Sequence, residues 1–185
     1  MPAVFLDRDG VINRKRPPGE YVTSWQEFEF LPGAAEAIRL LKQSGFRVVV
    51  VTNQRGISLG KMRESDLEFI HRRMAQELRQ SGAVLDAIYY CPHDNNACQC
   101  RKPALGLFFA AQRDFPDIRF AESVVIGDSA SDMQAGERLG CKKKILIATG
   151  ETQTAAARNA KLAFDFAAPS LLEAVQRHLL PPSPQ

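Results

Sequence analysis

The chain predicts an α/β fold, a Rossmann-like doubly wound parallel sheet with helices on both faces. Three observations carry that expectation. Strand-like and helix-like segments alternate along the chain. The strand-like runs are continuously apolar, as strands buried on both faces are. Several of those runs end abruptly in polar residues. With 185 residues there is room for one well-filled core and not for two ordinary domains, so residues 1–180 are read as a single domain. The Pro-rich tail, residues 181–185, is expected to be disordered.

Val4-Phe5-Leu6 is the first strand, and Asp7-Arg8-Asp9-Gly10 follows it. Pro32-Gly33 opens a helix with apolar positions at Ala34, Ala37, Ile38 and Leu41, which Gly45 stops as a C′ residue. The next strand covers residues 46–51 and runs into Thr52-Asn53-Gln54. A second helix is expected over about 65–81, because Ser65 and Glu68 fit a capping box. Leu67, Ile70, Met74 and Leu78 form its apolar stripe, with His71 at the edge as a surface or boundary residue. Residues 87–90 make a short strand that leads into a cysteine-rich loop. A helix over 105–115, a strand over 123–126 and a helix over 133–139 come next. The strand 145–148 and the helix 171–179 complete the series. Lys142-Lys143-Lys144 reads as a solvated turn before its strand.

Composition excludes several classes of function. Hydrophobic residues at 45% and charged residues at 24% are ordinary for a globular protein. A net charge of +3 without long basic runs argues against nucleic acid as a partner. No apolar run approaches the roughly 20 residues that cross a bilayer, and Asp7 and Asp9 interrupt any leader-like pattern at once. A cytoplasmic protein without a membrane partner is expected. No sustained exposed apolar stripe is evident, so a monomer is expected too.

The chemistry lies at the strand ends. In an open parallel sheet the carboxyl ends of the strands share one edge, where ligands bind. Asp7 and Asp9 follow the first strand, Thr52 the second, and Gly127-Asp128 with Asp132 a later one; Arg101-Lys102-Pro103 lies between. Carboxylates suit a hard divalent cation, while a hydroxyl and an ammonium suit phosphoryl oxygens. A carboxylate can attack phosphorus and split hydrolysis into two easier steps, provided that a cation relieves the repulsion between anions. A second acid two residues away can give a proton to the leaving alkoxide and later take one from water. Taken alone, Asp7 and Asp9 are equally well read as turn residues; the second acid site tips that balance.

Cys91, His93, Cys98 and Cys100 fall within ten residues, and Cys141 stands apart. Three thiolates and an imidazole suit a closed tetrahedral zinc site. A reduced loop without metal is the alternative. A bound Zn²⁺ would order the loop and fix Arg101 and Lys102, which follow the last ligand. Cys141 reads as a buried spectator.

The four motifs, DxDG, Thr, Lys and GDxxxD in that order, resemble those of the haloacid-dehalogenase-like phosphatases. The resemblance implies Asp7 as nucleophile, Asp9 as general acid/base, and Thr52 and Lys102 as phosphoryl-oxygen ligands. It also implies Mg²⁺ held by Asp7, the backbone carbonyl of Asp9 and Asp128, with Asp132 in support. The block Cys-x-His…Cys-x-Cys-Arg-Lys-Pro resembles two related groups, the heptose 1,7-bisphosphate phosphatases and the histidinol-phosphatases. Phe5-Leu6-Asp7-Arg8-Asp9-Gly10, Val51-Thr52-Asn53-Gln54 and Ile88-Tyr89-Tyr90-Cys91-Pro92-His93 look most like the former. Two departures stand out: only four residues separate His93 from Cys98, and Ser129 occupies a position where the family often carries Lys or Arg.

No stretch is long enough for a separate cap domain, so loops should control access. Asn53, Gln54, Arg55 and Arg101 are the expected substrate-binding residues. Arg14, Lys15 and Arg16, with Arg55 and Arg101, could hold a remote second phosphate, or could be solvated surface cations. The expected activity is removal of the 7-phosphate from D-glycero-D-manno-heptose 1,7-bisphosphate, a small phosphorylated metabolite, with histidinol phosphate as the alternative substrate. A receiver-like phosphoacceptor would have adjacent paired acids rather than Asp-x-Asp, and a zinc-stapled interaction module would leave Asp7, Asp9 and Asp128 without a purpose.

Overall fold

The computed structural model describes residues 1–148, 154–155, 157–158 and 160–180. Its strands are β1 (Ala3–Leu6), β2 (Arg47–Asn53), β3 (Ala87–Cys91), β4 (Val124–Gly127), β5 (Lys143–Ile147) and β6 (Phe166–Ala168). The helices that flank them include α1 (Ala34–Gln43), α2 (Glu64–Gln80), α3 (Gly106–Asp114), α4 (Ala130–Arg138) and α5 (Leu171–His178). The strands form one parallel sheet in the order β3-β2-β1-β4-β5-β6. Chain order reverses direction between β1 and β4, which opens a crevice beyond their carboxyl ends.

Each strand alternates its side chains between two apolar layers. Val4, Leu6, Val48, Val50, Ile126 and Ile145 pack with α1, α2 and α5. Phe5, Val49, Val51, Val125 and Leu146 face the other way, onto Leu107, Phe108 and Ala111 of α3 and Met133 and Ala135 of α4. Burial on both faces explains the unbroken apolar runs.

Several elements depart from the sequence expectation. Strand β2 continues through Thr52 and Asn53, because both pair with β3 opposite Tyr90 and Cys91. Helix α2 starts at Glu64, with Arg63 as N-cap; the Asp66 carboxylate accepts from the Arg63 backbone N–H at 2.9 Å, so Ser65 lies inside the helix. Helix α4 begins three residues early, at Ala130, capped by Ser129, whose N–H donates to Asp132. Lys143 and Lys144 are not a solvated turn but the start of β5, half-buried, with Lys144 paired to Asp165. The short strand β6 is additional. His71 is buried, not at the surface. The tail expectation, residues 181–185, lies outside the described residues.

Candidate active site

The sheet brings the acids together where the topology reverses. Asp7 follows β1 and Asp128 follows β4, on neighbouring strands. Asp132 sits in the first turn of α4. One carboxylate oxygen from each of the three lies within 4.8 Å of the others. Backbone contacts keep them close. A Cβ on Gly10, whose φ is +87°, would lie 2.3 Å from Asp128 Oδ2. A Cβ on Gly127 would lie 2.2 Å from Asp132 Cγ, so both positions require glycine.

Protein cations answer part of this negative charge. Lys102 is buried, with Nζ 2.5 Å from Asp132 Oδ1, 3.1 Å from Asp7 Oδ1 and 2.6 Å from the Val51 carbonyl. Burial works against its charge, but Asp132 and Asp7 outweigh it and raise the Lys102 pKa. Lys15 Nζ reaches Asp128 Oδ2 at 2.6 Å from the exposed side. The compensation is incomplete. Burial first, then the charges of Asp132, Asp128 and Asp9, push the Asp7 carboxyl up to about 7 against the pull of Lys102. Burial also raises the Asp128 carboxyl, although Lys15 opposes it. Buried Asp128 Oδ1 has no hydrogen-bond partner. Crowded, underpaired hard oxygens of this kind fit a divalent cation such as Mg²⁺.

Asp9 is placed differently from the other acids. Both its oxygens accept from Arg8 Nη2 at 2.9 Å, Oδ1 also accepts from Asn13 Nδ2 at 2.9 Å, and Oδ2 from Gln54 Nε2 at 2.8 Å. Burial would raise its pKa, but Arg8, Asn13 and Gln54 together lower it. Its side chain stands outside the carboxylate cluster.

Thr52 is buried, and its Oγ1 accepts from Gln54 Nε2 at 2.9 Å. Gln54 is thus committed to Thr52 and Asp9. Asn53 is committed as well, donating to the Lys102 carbonyl at 3.1 Å and accepting from the Lys102 N–H at 2.9 Å. Arg55 pairs with Asp94 at 2.5 Å. Arg14 and Arg16 pair with Glu29 and Glu27. Of the expected substrate cations, Lys15, Arg16 and Arg101 line the cavity; Arg101 keeps a buried Nη1 without a partner, and Arg16, though paired to Glu27 through Nη2, keeps a buried Nε without one. That cavity, about 440 Å³, has Asp7, Asp9 and Thr52 at its floor and the loop 15–22 along its wall. Asn13, which orients Asp9, carries no sequence signal: it belongs to no helical or strand period.

The cysteine loop closes on itself. Cys91 Sγ lies 3.5 Å from Cys98 Sγ and 3.2 Å from Cys100 Sγ, and His93 Nδ1 lies 3.3 Å from Cys100 Sγ. Zinc–sulfur bonds of about 2.3 Å at tetrahedral angles put sulfurs about 3.7 Å apart, so a small inward ion would need only a slight expansion. Burial opposes ionisation of Cys98, but N–H donation from Cys100 and Arg101 brings its thiol down to about 6. Cys141 is buried away from this group.

Comparison with known proteins agrees with this arrangement. A HAD-hydrolase-like family model matches residues 99–174. The chain is 42% identical over 168 residues to the D-glycero-beta-D-manno-heptose-1,7-bisphosphate 7-phosphatase of Escherichia coli O6:H1, covering 86% of each. It is 45% identical over 132 residues to the D-glycero-alpha-D-manno-heptose-1,7-bisphosphate 7-phosphatase of Mycobacterium bovis, covering 71% of this chain and 69% of that one. The crystal structure of the D,D-heptose 1,7-bisphosphate phosphatase from B. bronchiseptica, complexed with magnesium and phosphate, superposes with a TM-score of 0.86 at 35% identity, over 97% of this chain and 98% of that one. The chain is an enzyme and a phosphatase, and it belongs to the HAD-like family of heptose-1,7-bisphosphate 7-phosphatases.

Proposed function

We propose that the protein removes the 7-phosphate of D-glycero-D-manno-heptose 1,7-bisphosphate, with Asp7 as the attacking group. The observation that carries this reading is the convergence of Asp7, Asp128 and Asp132 with Lys102 at the β1–β4 crevice. Asp7, Asp128 and the Asp9 carbonyl, supported by Asp132, would hold Mg²⁺. The ion would neutralise charge on the phosphoryl group and on Asp7. Thr52 and Lys102 would bind phosphoryl oxygens. Asp7 Oδ attacks phosphorus, and Asp9 protonates the departing sugar oxygen. Asp9 then takes a proton from the water that hydrolyses the aspartyl-phosphate.

The buried, unpartnered Nη1 of Arg101 and Nε of Arg16 on the cavity wall support a substrate with a second anion, which histidinol phosphate lacks. Asn53 and Gln54 act here as supports of Lys102, Thr52 and Asp9. Zinc on Cys91, His93, Cys98 and Cys100 would hold Arg101 in place. The same reading takes residues 1–180 as one domain working as a cytoplasmic monomer, without nucleic acid or membrane. Its support is that no described helix is long and apolar enough to cross a membrane, and that exposed Leu59, Phe69 and Phe109 are scattered over separate segments.

The test is phosphate release with Mg²⁺ from both anomers of the heptose bisphosphate and from histidinol phosphate. A large kcat/KM preference for one heptose anomer is expected. The two groups of relatives act on opposite anomers, so the assay also assigns this chain to one of them. Preference for histidinol phosphate would overturn the substrate while keeping the chemistry.

A further inference from the structure

Arg8, between the two leading acids, has only 1% of its side chain exposed. A buried guanidinium is costly unless acceptors surround it. It has two among the described residues. Nη2 donates to both oxygens of Asp9, and Nη1 lies 3.1 Å from His71 Nε2. Nε has no partner. Arginine only donates, so Nε2 must accept, with the imidazole proton on Nδ1. Burial first, then the Arg8 charge, push the His71 imidazole down to about 3, which keeps that lone pair available.

His71 is itself fixed by the core. It lies on the buried face of α2 beside Leu67, Ile70 and Met74, with the Tyr90 ring 5.6 Å away. The contact therefore ties a rigid helix to Arg8, and through Arg8 to Asp9. The carboxylate is gripped from behind, while 23% of its side chain stays open at the cavity floor. Without His71, the guanidinium would be oriented by Asp9 alone, and Asn13 and Gln54 would be left to hold the Asp9 carboxylate against its movement. A displacement of about 1 Å at a group that transfers a proton is enough to lower a rate.

We infer that His71 is a positioning residue for proton transfer: it fixes Arg8, and Arg8 holds the Asp9 carboxylate where the leaving oxygen departs. The inference rests on the phosphatase reading with Asp9 as the acid. In the step concerned, the O–P bond to the sugar breaks as Asp7 Oδ bonds to phosphorus, and the Asp9 proton moves to the sugar oxygen.

The test compares two esters by kcat/KM, which reports the steps through release of the alcohol and not the later hydrolysis of the aspartyl-phosphate. The heptose bisphosphate releases a basic alkoxide that needs a proton, whereas p-nitrophenyl phosphate releases a stable phenolate that does not. His71→Leu should lower kcat/KM for the heptose ester by at least about tenfold and for p-nitrophenyl phosphate by less than about threefold. His71→Gln, which places an acceptor oxygen near the position of Nε2, should restore most of the loss. His71→Asn, polar but too short to reach Arg8, should show the same selective loss and serves if the leucine variant fails to fold. Adding His71→Leu to Arg8→Met should change little beyond Arg8→Met alone. Equal losses on both esters, or no loss on either, would overturn the inference. A wild-type enzyme inactive on both would overturn the phosphatase reading beneath it, and the inference with it.

Discussion

The protein carries two clusters suited to a metal ion, and they are built in opposite ways. The carboxylates of Asp7, Asp128 and Asp132 grow out of strand ends and a helix start, Asp132 buried and the other two partly so. Lys102 and Lys15 already meet some of their charge. The cluster of Cys91, His93, Cys98 and Cys100 joins the end of β3 to a loop whose residues 95–97 are exposed, and its sulfurs and imidazole make polar contacts with one another. The first cluster can stand as a scaffold before any ion arrives. In the second, Cys91 is in the core and Cys98 and Cys100 pack against it, but the span 95–97 between the ligands is exposed. An ion at the strand ends would serve the reaction, and one in the loop would serve the fold.

Substitutions separate the two. Asp7→Asn should lower kcat by at least about 10³-fold, by removing the attacking group, while thermal stability does not fall and zinc content stays as it was. Loss of zinc in that variant would break the distinction. Cys98→Ser should lose zinc, measured by mass spectrometry, and lower kcat/KM by about 10- to 100-fold through disorder of Arg101 and Lys102. Full activity without zinc would show that Asn53 alone suffices to hold Lys102.

Proton linkage gives a finer measure. Asp7, lifted from the ordinary 3.8 to about 7, favours the folded metal-free protein when protonated. That contribution is present in full below about pH 4 and is lost as pH rises through about 7. Mg²⁺ must displace the same proton, so its stabilising effect runs the other way. The rise in Tm on saturation with Mg²⁺ should be larger at about pH 8 than at about pH 5, as differential scanning fluorimetry would show. Zinc removal should leave that difference in place. The smallest effect belongs to Lys15→Ala. Lys15 is half-exposed and competes for Asp128, so its loss should tighten Mg²⁺ binding by about twofold to fivefold in a calorimetric titration.

Much of this arrangement was legible in the sequence because its signals are local. Apolar runs such as Val48–Val51 announce buried parallel strands, and the acids after them announce the sheet edge. The cysteine spacing announces its own cluster. Partnerships across the sheet leave no such mark. Thr52 and Asn53 belong to β2 only because β3 lies alongside. His71 sits at the edge of an apolar stripe, and only the buried Arg8, 63 residues away, explains why it is inside. Lys143 and Lys144 look like a surface run until Asp165 and the His178 carbonyl supply partners. Strand β6 is three residues long and largely alanine, too brief for a period to show. Asn53, Gln54 and Arg101 line the cavity, but the neighbours that Asn53, Gln54 and Arg55 answer to are specified by no spacing.

Asn53 has a consequence of a different kind. By giving and taking a hydrogen bond with the Lys102 backbone, it fastens that residue to the central sheet from one side. Cys98 and Cys100 fasten the same stretch from the other. Everything between His93 and Cys98 then hangs outside the two anchors. Residues can be added to or removed from that span without moving Lys102. A lineage could therefore change the length of that loop while leaving Lys102 and its partners where they are.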